Sequence, residues 1–358
     1  MSSSPISPLS DIRDPQLLRT LGELSFLEES VNADNHLRVT LVLPVLNWPQ
    51  REYLEAEIAR RTPDATLSVR VMSEEERFAL RNYLRGGMGG DAKPAFLERG
   101  SKTRVLGISS GKGGVGKSSV TINLAIALAQ AGFAVGVLDA DVYGFSLPKM
   151  LGAATDPIIL GDLVIPTLAH GVRCISMGYF VPDDQPVIWR GPMLHKAIEQ
   201  LVTEAWWDEP DFLLIDMPPG TGDVALTLSE VVPRIEMYVV TTPQPAAQRV
   251  AQRSAYAAKK LKLSVRGVIE NMSWFMGDDG TRYELFGAGG GATLASELGI
   301  TLLGQIPLEP ALRAGGDVGT PLMVSSPTSP AAQAITALAA RIAAQGPARV
   351  YRQELTIR

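Results

Sequence analysis

A chain of 358 residues, 46% of them hydrophobic, holds enough apolar material for one large core and a smaller one. Its 33 Lys and Arg against 38 Asp and Glu leave a net charge of −5, which argues against a nucleic-acid binder that works by neutralising phosphates. No apolar run reaches the ~18 residues that a membrane span needs, and the single cysteine, Cys174, excludes an intramolecular disulfide and suits a cytoplasmic home.

Residues 1–10 are rich in Ser and Pro and lack a basic stretch followed by an apolar one, so they read as a disordered lead-in and not a signal peptide. Asp14 to Ser30 reads as a short helix and its exit. Leu37-Arg38-Val39-Thr40-Leu41-Val42-Leu43 alternates as a strand does. Pro44 and Pro49 bracket a loop with Asn47 and Trp48. Gln50 to Arg61 is helical in pattern, Thr66 to Val71 is a second alternating strand, and Glu74 to Tyr83 is a charged helix. Residues 11–84 thus make a small α+β domain. Residues 85–103, opening Arg85-Gly86-Gly87-Met88-Gly89-Gly90, have the composition of a linker.

From Arg104 the pattern becomes βαβα, giving a domain over 104–345 and a tail over 346–358. Apolar strands are expected at Val105–Ser109, Ala134–Leu138, Phe212–Ile215, Met237–Thr241, Val265–Ile269 and Leu302–Gln305. Helical patterns fall at Lys117–Ala131, Pro192–Trp206, Val224–Val231 and Ala246–Lys260. Continuous apolar strands alternating with helices imply an α/β fold with a mostly parallel, doubly wound sheet.

One stretch organises this domain. Gly111, Gly116, Lys117 and Ser118 match G-x-x-x-x-G-K-[ST] between an expected strand and an expected helix. Glycines let the backbone curl so that its N–H groups point at phosphate oxygens, and the helix adds its positive end. The nucleotide-binding set is therefore Gly111, Lys112, Gly113, Gly114, Val115, Gly116, Lys117, Ser118 and Ser119. Lys117 supplies charge to the β- and γ-phosphates and Ser118 a hydroxyl to Mg²⁺. Lys112 is an extra lysine that the basic motif does not require.

Two acidic stretches complete an ATPase site. Phe212-Leu213-Leu214-Ile215-Asp216 is an apolar strand ending in a carboxylate that can hold Mg²⁺ directly or through water. Leu138-Asp139-Ala140-Asp141 ends another strand with carboxylates at i and i+2, which an extended segment aims to the same side. Asp141 is read as the water-orienting, catalytic group beside Lys117 and Lys112, and Asp139 as support for the metal. The loop Met217-Pro218-Pro219-Gly220-Thr221-Gly222-Asp223 suits a switch that senses the γ-phosphate.

Lys112-Gly113-Gly114-Val115-Gly116-Lys117 is similar to the deviant Walker A of the ParA/MinD/nitrogenase-iron-protein class. From about Arg104 to Pro330 the chain resembles the Mrp (ApbC-like) iron–sulfur carrier ATPases. The resemblance rests on Leu138 to Gly144, Trp189-Arg190-Gly191-Pro192-Met193, Asp216 to Asp223, Thr241-Thr242-Pro243-Gln244, Glu270-Asn271-Met272-Ser273, Phe286-Gly287 with Gly289-Gly290-Gly291, and Gly304-Gln305-Ile306-Pro307-Leu308. It implies a nucleotide-sandwich homodimer in which Lys112 reaches the phosphates across the interface. It implies adenine contacts at Asn271 and at Pro307-Leu308-Glu309. It also implies a small N-terminal domain of the iron–sulfur-assembly type, to which Asp14 to Val71 is similar, and apoproteins or assembly proteins as partners.

The chain departs from the family at the cargo end. The family places a C-x-x-C pair between the Asn-Met-Ser and Arg-Tyr-Glu stretches; aligning Arg282-Tyr283-Glu284 puts Met276 and Asp279 there. Two such pairs in a dimer supply the four thiolates that a bridging cluster takes, and Met or Asp replaces them poorly. Trp48 stands where the N-terminal domain usually has a cysteine. Cys174 reads as a buried strand thiol; His170 and His195 read as structural or surface residues, and His195 has no ligand spacing to Cys174. No Fe–S ligand is identified. Three readings follow: an ATP-driven iron–sulfur cluster carrier, an ATP-switched chaperone or scaffold that holds no cluster, and a spatial organiser like MinD or ParA. A membrane or nucleic-acid partner is not expected.

Overall fold

The computed structural model describes residues 8–347, apart from 32, 34, 35, 87–93, 99, 142, 143, 145, 154, 181–190, 221 and 233. Parts of the expected lead-in (1–7), linker (87–93) and tail (348–358) lie outside the described residues, as do Val142, Tyr143, Trp189, Arg190 and Thr221 of the family-like stretches. The chain opens with β1 (Leu27–Val31), β2 (Leu37–Leu43), α1 (Arg51–Arg61), β3 (Thr66–Val71) and α2 (Glu74–Leu84). It continues with β4 (Arg104–Ser110), α3 (Lys117–Gln130), β5 (Val135–Asp139), α4 (Leu147–Leu151), β6 (Ile158–Leu160), β7 (Leu163–Ile165), β8 (Thr167–Ala169) and β9 (Val172–Ser176). Next come α5 (Gly191–Glu204), β10 (Phe212–Asp216), α6 (Asp223–Val231), β11 (Glu236–Thr241), α7 (Pro245–Lys260) and β12 (Ser264–Glu270). The last elements are β13 (Phe275–Met276), β14 (Arg282–Tyr283), α8 (Gly290–Leu298), β15 (Thr301–Gln305), α9 (Pro310–Val318), α10 (Leu322–Ser325) and α11 (Pro330–Ala344).

Two compact units divide the chain: Met1–Ala92 with Ile158–Ile165, and Lys93–Pro157 with Pro166–Arg358. In the first, β1 and β3 flank β2, antiparallel and parallel to it respectively. The alternation of β2 buries Val39, Leu41 and Leu43, and α1 adds Leu54 and Ile58. Ser73 starts α2 with a reciprocal cap: its Oγ accepts from Glu76 N at 3.2 Å and Glu76 Oε2 accepts from Ser73 N at 2.7 Å. The antiparallel hairpin β6–β7, which the sequence pattern did not suggest, belongs to this unit, where Asp162 pairs with Arg81 at 3.0 Å and Arg85 at 2.8 Å.

Asp14 to Ser30 is not helical. Asp14 Oδ1 takes the amide of Leu17 at 2.6 Å, Leu18 turns to φ 56°, and Arg13 bridges Thr20 before β1 begins. An Asp side chain that captures a backbone amide competes with helix propagation, and folding back lets Leu17, Leu21, Leu24 and Phe26 all be buried. The expected lead-in is shortened as well, because Leu9 is fully buried and Ser10 O accepts from Gly22 N at 3.0 Å. Trp48 is a core residue whose Nε1 donates to Asp14 Oδ2 at 2.8 Å and whose ring meets Phe26 edge-on.

The second unit is built on an eight-stranded sheet in the order β15-β12-β11-β4-β10-β5-β9-β8. Every neighbouring pair is parallel except β8–β9. Strands β4, β5, β9, β10 and β11 are buried along their whole length, and the centres of β4, β5, β10 and β11 accordingly read as apolar runs. One core joins α3, α4, α9, α10 and α11 to the sheet, and another joins α7 and α8 to β11 and β12. The C-terminal ends of β4, β5 and β10 lie side by side, with Asp216 in register with Ile108 and with Asp139. That strand edge is where open α/β sheets bind ligands.

Candidate nucleotide site

Strand β4 delivers the chain into the glycine loop, and α3 starts at Lys117 behind Gly116, which caps it at φ 77°. A Cβ on Gly111 would fall into the backbone of Val250 and Ala251, and one on Gly116 would strike the Asn271 amide. The loop therefore takes its curl only with glycine at both places.

Below the loop, the Asp216 carboxylate gathers three side chains of α3. Its Oδ2 accepts from Lys117 Nζ at 2.5 Å and from Ser118 Oγ at 2.7 Å, and its Oδ1 accepts from Thr121 Oγ1 at 2.7 Å. Lys117 is 6% exposed and Asp216 1%. Burial this deep makes the pair strongly coupled. Thr121 went unnoticed in the sequence, although its position four residues after Lys117 puts it on the same helix face.

The two carboxylates after β5 separate. Asp141 Oδ2 lies 3.9 Å from Lys117 Nζ. Asp139 turns to its own chain: Oδ1 accepts from Asp141 N at 3.2 Å, and Oδ2 from Ser146 N at 3.0 Å, Leu147 N at 3.2 Å and Ser176 Oγ at 3.1 Å. Strand β5 ends at Asp139, so the alternation that would aim both carboxylates one way stops there. Burial first, and then the nearby Asp216 charge, push the Asp139 carboxyl up to about 7. Asp139 thus holds the segment that presents Asp141.

Lys112 Nζ donates to Gln244 Oε1 at 3.1 Å, at the start of α7. Asn271 comes to the loop from the end of β12: its Nδ2 donates to Val115 O at 2.9 Å while its buried Oδ1 has no partner. Such an orphaned acceptor fits a ligand donor. Ser119 O accepts from Asn123 Nδ2 at 2.9 Å. Pro307 is buried beside the Asn271 segment, where Ser273 N donates to Ile306 O at 2.9 Å and Leu308 N to Trp274 O at 2.6 Å.

The cargo end differs. Met276 is half-exposed on the β13–β14 hairpin, and Asp279 accepts from Thr281 N at 2.9 Å and Thr281 Oγ1 at 2.8 Å in its turn. Cys174 is fully buried in β9, paired with Val137, and burial pushes its thiol well above the usual range. His195 lies 3.7 Å from Glu230, and His170 occupies a turn at φ 50°. Among the described residues, no group of three or more His, Cys, Asp or Glu is placed to hold a metal. None of the described helices is long and apolar enough to cross a membrane.

The family described as ParA-type, NUBPL iron-transfer P-loop NTPase matches residues 101–343. The iron–sulfur cluster carrier protein of Mycobacterium leprae is 40% identical over 95% of this chain and 92% of its own. That of Escherichia coli is 38% identical over 94% and 90%. Among solved structures, a nucleotide-binding protein of Archaeoglobus fulgidus in complex with ADP is 32% identical with a TM-score of 0.53, covering 61% of this chain and 86% of its own. The septum site-determining protein MinD of Pyrococcus horikoshii, complexed with Mg-ADP, is 26% identical with a TM-score of 0.52, over 67% and 96%. The chain belongs to the ParA-type, NUBPL iron-transfer P-loop NTPases, with iron–sulfur cluster carrier proteins as its curated relatives.

Proposed function

We propose that this chain is an ATPase of iron–sulfur cluster delivery, binding ATP with Mg²⁺ and working as a nucleotide-sandwich homodimer. The observation that carries the reading is the meeting of Lys117, Ser118 and Asp216 under the glycine loop, with Asp141 close to Lys117. Ser118 Oγ and Asp216 Oδ2 are hard oxygen donors of the kind Mg²⁺ takes, and the ion neutralises charge on the β- and γ-phosphates when bound. Loop amides and the α3 N-terminus bind the phosphates. Lys117 exchanges its carboxylate partner for a phosphate oxygen, and Asp141 orients the attacking water and takes up its proton. Asn271 Oδ1 receives a donor from the base. Lys112 leaves Gln244 to reach the phosphate of the partner subunit's nucleotide.

The cargo is a different matter. With one buried cysteine and no second thiol, these residues do not fit a cluster held in the family's way. That favours a second reading at this end: an ATP-switched scaffold that serves cluster transfer between other proteins. Lys117→Ala should abolish ATP hydrolysis by the purified chain. Anaerobic reconstitution with iron and sulfide separates the two cargo readings. Stoichiometric iron with visible charge-transfer absorbance means carriage; its absence, with ATPase activity intact, means the scaffold. A wild-type chain that neither binds nor hydrolyses MgATP overturns the proposal.

A further inference from the structure

Helix α7 carries two faces of opposite character. Ala247, Ala251, Ser254, Ala255 and Ala258 are buried, and their small side chains let the helix lie close against β11 and β12. The other face presents Arg249, Arg253, Tyr256 and Lys260, all exposed. The spacing i, i+4, i+7, i+11 sets them in one row about 16 Å long. None of the four side chains makes a hydrogen bond or ion pair among the described residues; the carboxylate of Glu297 in α8 receives Gln252 Nε2 at 3.1 Å. A row of unpaired cations is conspicuous on a chain of net charge −5.

The same helix touches the nucleotide site three times. Gln244, its cap, holds Lys112. The Val250–Ala251 backbone lies against Gly111 with no room for a Cβ. Ser254 Oγ donates to Gly220 O at 3.2 Å, and Gly220 N donates to Ser110 O at 2.9 Å, joining the helix to the loop after Asp216 and to the head of the phosphate loop. A ligand that rearranges Lys112 or the Gly220 loop therefore acts on α7 directly.

We propose that the Arg249–Arg253–Tyr256–Lys260 face docks an acidic segment of a partner protein, with an affinity set by the nucleotide in the phosphate loop. Charge complementarity selects the chemistry. A helix with carboxylates at the same spacing meets all three cations, and Tyr256, 46% exposed, supplies the aromatic anchor typical of interface centres. A nucleic acid is the poorer match, since a phosphate backbone needs a broad basic surface and this one is a single helix wide on an acidic chain. By linkage, the acidic segment must change nucleotide affinity by the factor that the nucleotide changes its own. This inference rests on the nucleotide-site reading above and extends it to a partner.

The test uses the full chain and a fluorescein-labelled 16-residue helical peptide with Glu at those four spacings. Anisotropy is measured with ADP and with a nonhydrolysable ATP analogue, over a salt series. Binding should be several-fold different between nucleotides, weaken with salt, and fall about tenfold or more in Arg249→Glu/Arg253→Glu. Fluorescent nucleotide binding, unchanged in that variant, keeps this inference separable from the nucleotide reading. Peptide affinity equal in wild type and variant overturns the surface, and equal affinity with both nucleotides overturns the coupling. Tighter binding of a single- or double-stranded oligonucleotide than of the peptide overturns the partner class. A variant that changes the oligomeric state by light scattering assigns the face to a second copy and overturns the proposal.

Discussion

Lys117, the phosphate ligand of the proposed function, neutralises a buried acid in this structure. Replacing it with Met keeps the stem and removes the charge, leaving Asp216 at 1% exposure with two hydroxyl donors and no cation. Breaking a buried pair from one side costs about 3–5 kcal/mol. At about 2–4 °C per kcal/mol for a unit of this size, the melting temperature should drop by roughly 6–20 °C. Adding Asp216→Asn removes the stranded charge and should return most of the loss. Lys112→Met, by contrast, gives up one half-exposed bond to Gln244 and should cost less than about 1 kcal/mol. Urea and thermal denaturation followed by circular dichroism, arranged as a double-mutant cycle, measure each term. A Lys117→Met loss under about 1 kcal/mol, or no recovery with Asp216→Asn, would refute the argument that this pair is coupled through burial.

Three further outcomes are expected. Thr121→Val removes the donor to Asp216 Oδ1 and should raise the Mg²⁺ concentration for half-maximal ATPase activity about tenfold or more, with metal-free ADP affinity unchanged and Thr121→Ser restoring the wild-type value. Hydrogen bonds from Arg70, then from the Ser73 amide, hold the Glu76 carboxyl down at about 2, so its contribution is present above its unfolded value and is lost as pH falls toward about 2. Glu76→Gln should therefore melt below wild type at pH 6, with the difference closing in acid. Cys174, buried and with its thiol pKa raised, should resist thiol reagents in the native state and react fully only in denaturant.

The fold of the larger unit was legible because parallel strands buried on both faces print themselves as apolar runs, and the phosphate loop because its chemistry needs glycines at set places. The N-terminal turns were not. Asp14, Leu17 and Leu21 have helical spacing, but Asp14 captures an amide and Trp48 Nε1, a contact across 34 residues that no local pattern carries. The β6–β7 hairpin escaped for a similar reason: its strands are three residues each, too short to show a period.

At the site, residue types and spacing singled out Lys117, Ser118 and Asp216 as one group, since a glycine loop and a strand-end carboxylate have few other uses together, and the structure brings the three into contact. Tertiary structure decided how the acids divide their work. The end of β5 at Asp139 turns that carboxylate inward to four donors and leaves Asp141 facing Lys117, and Thr121 joins only because α3 lies over β10. Sequence names the residue types that the chemistry calls for; which carboxylate faces Lys117 depends on where a strand stops, and packing sets that.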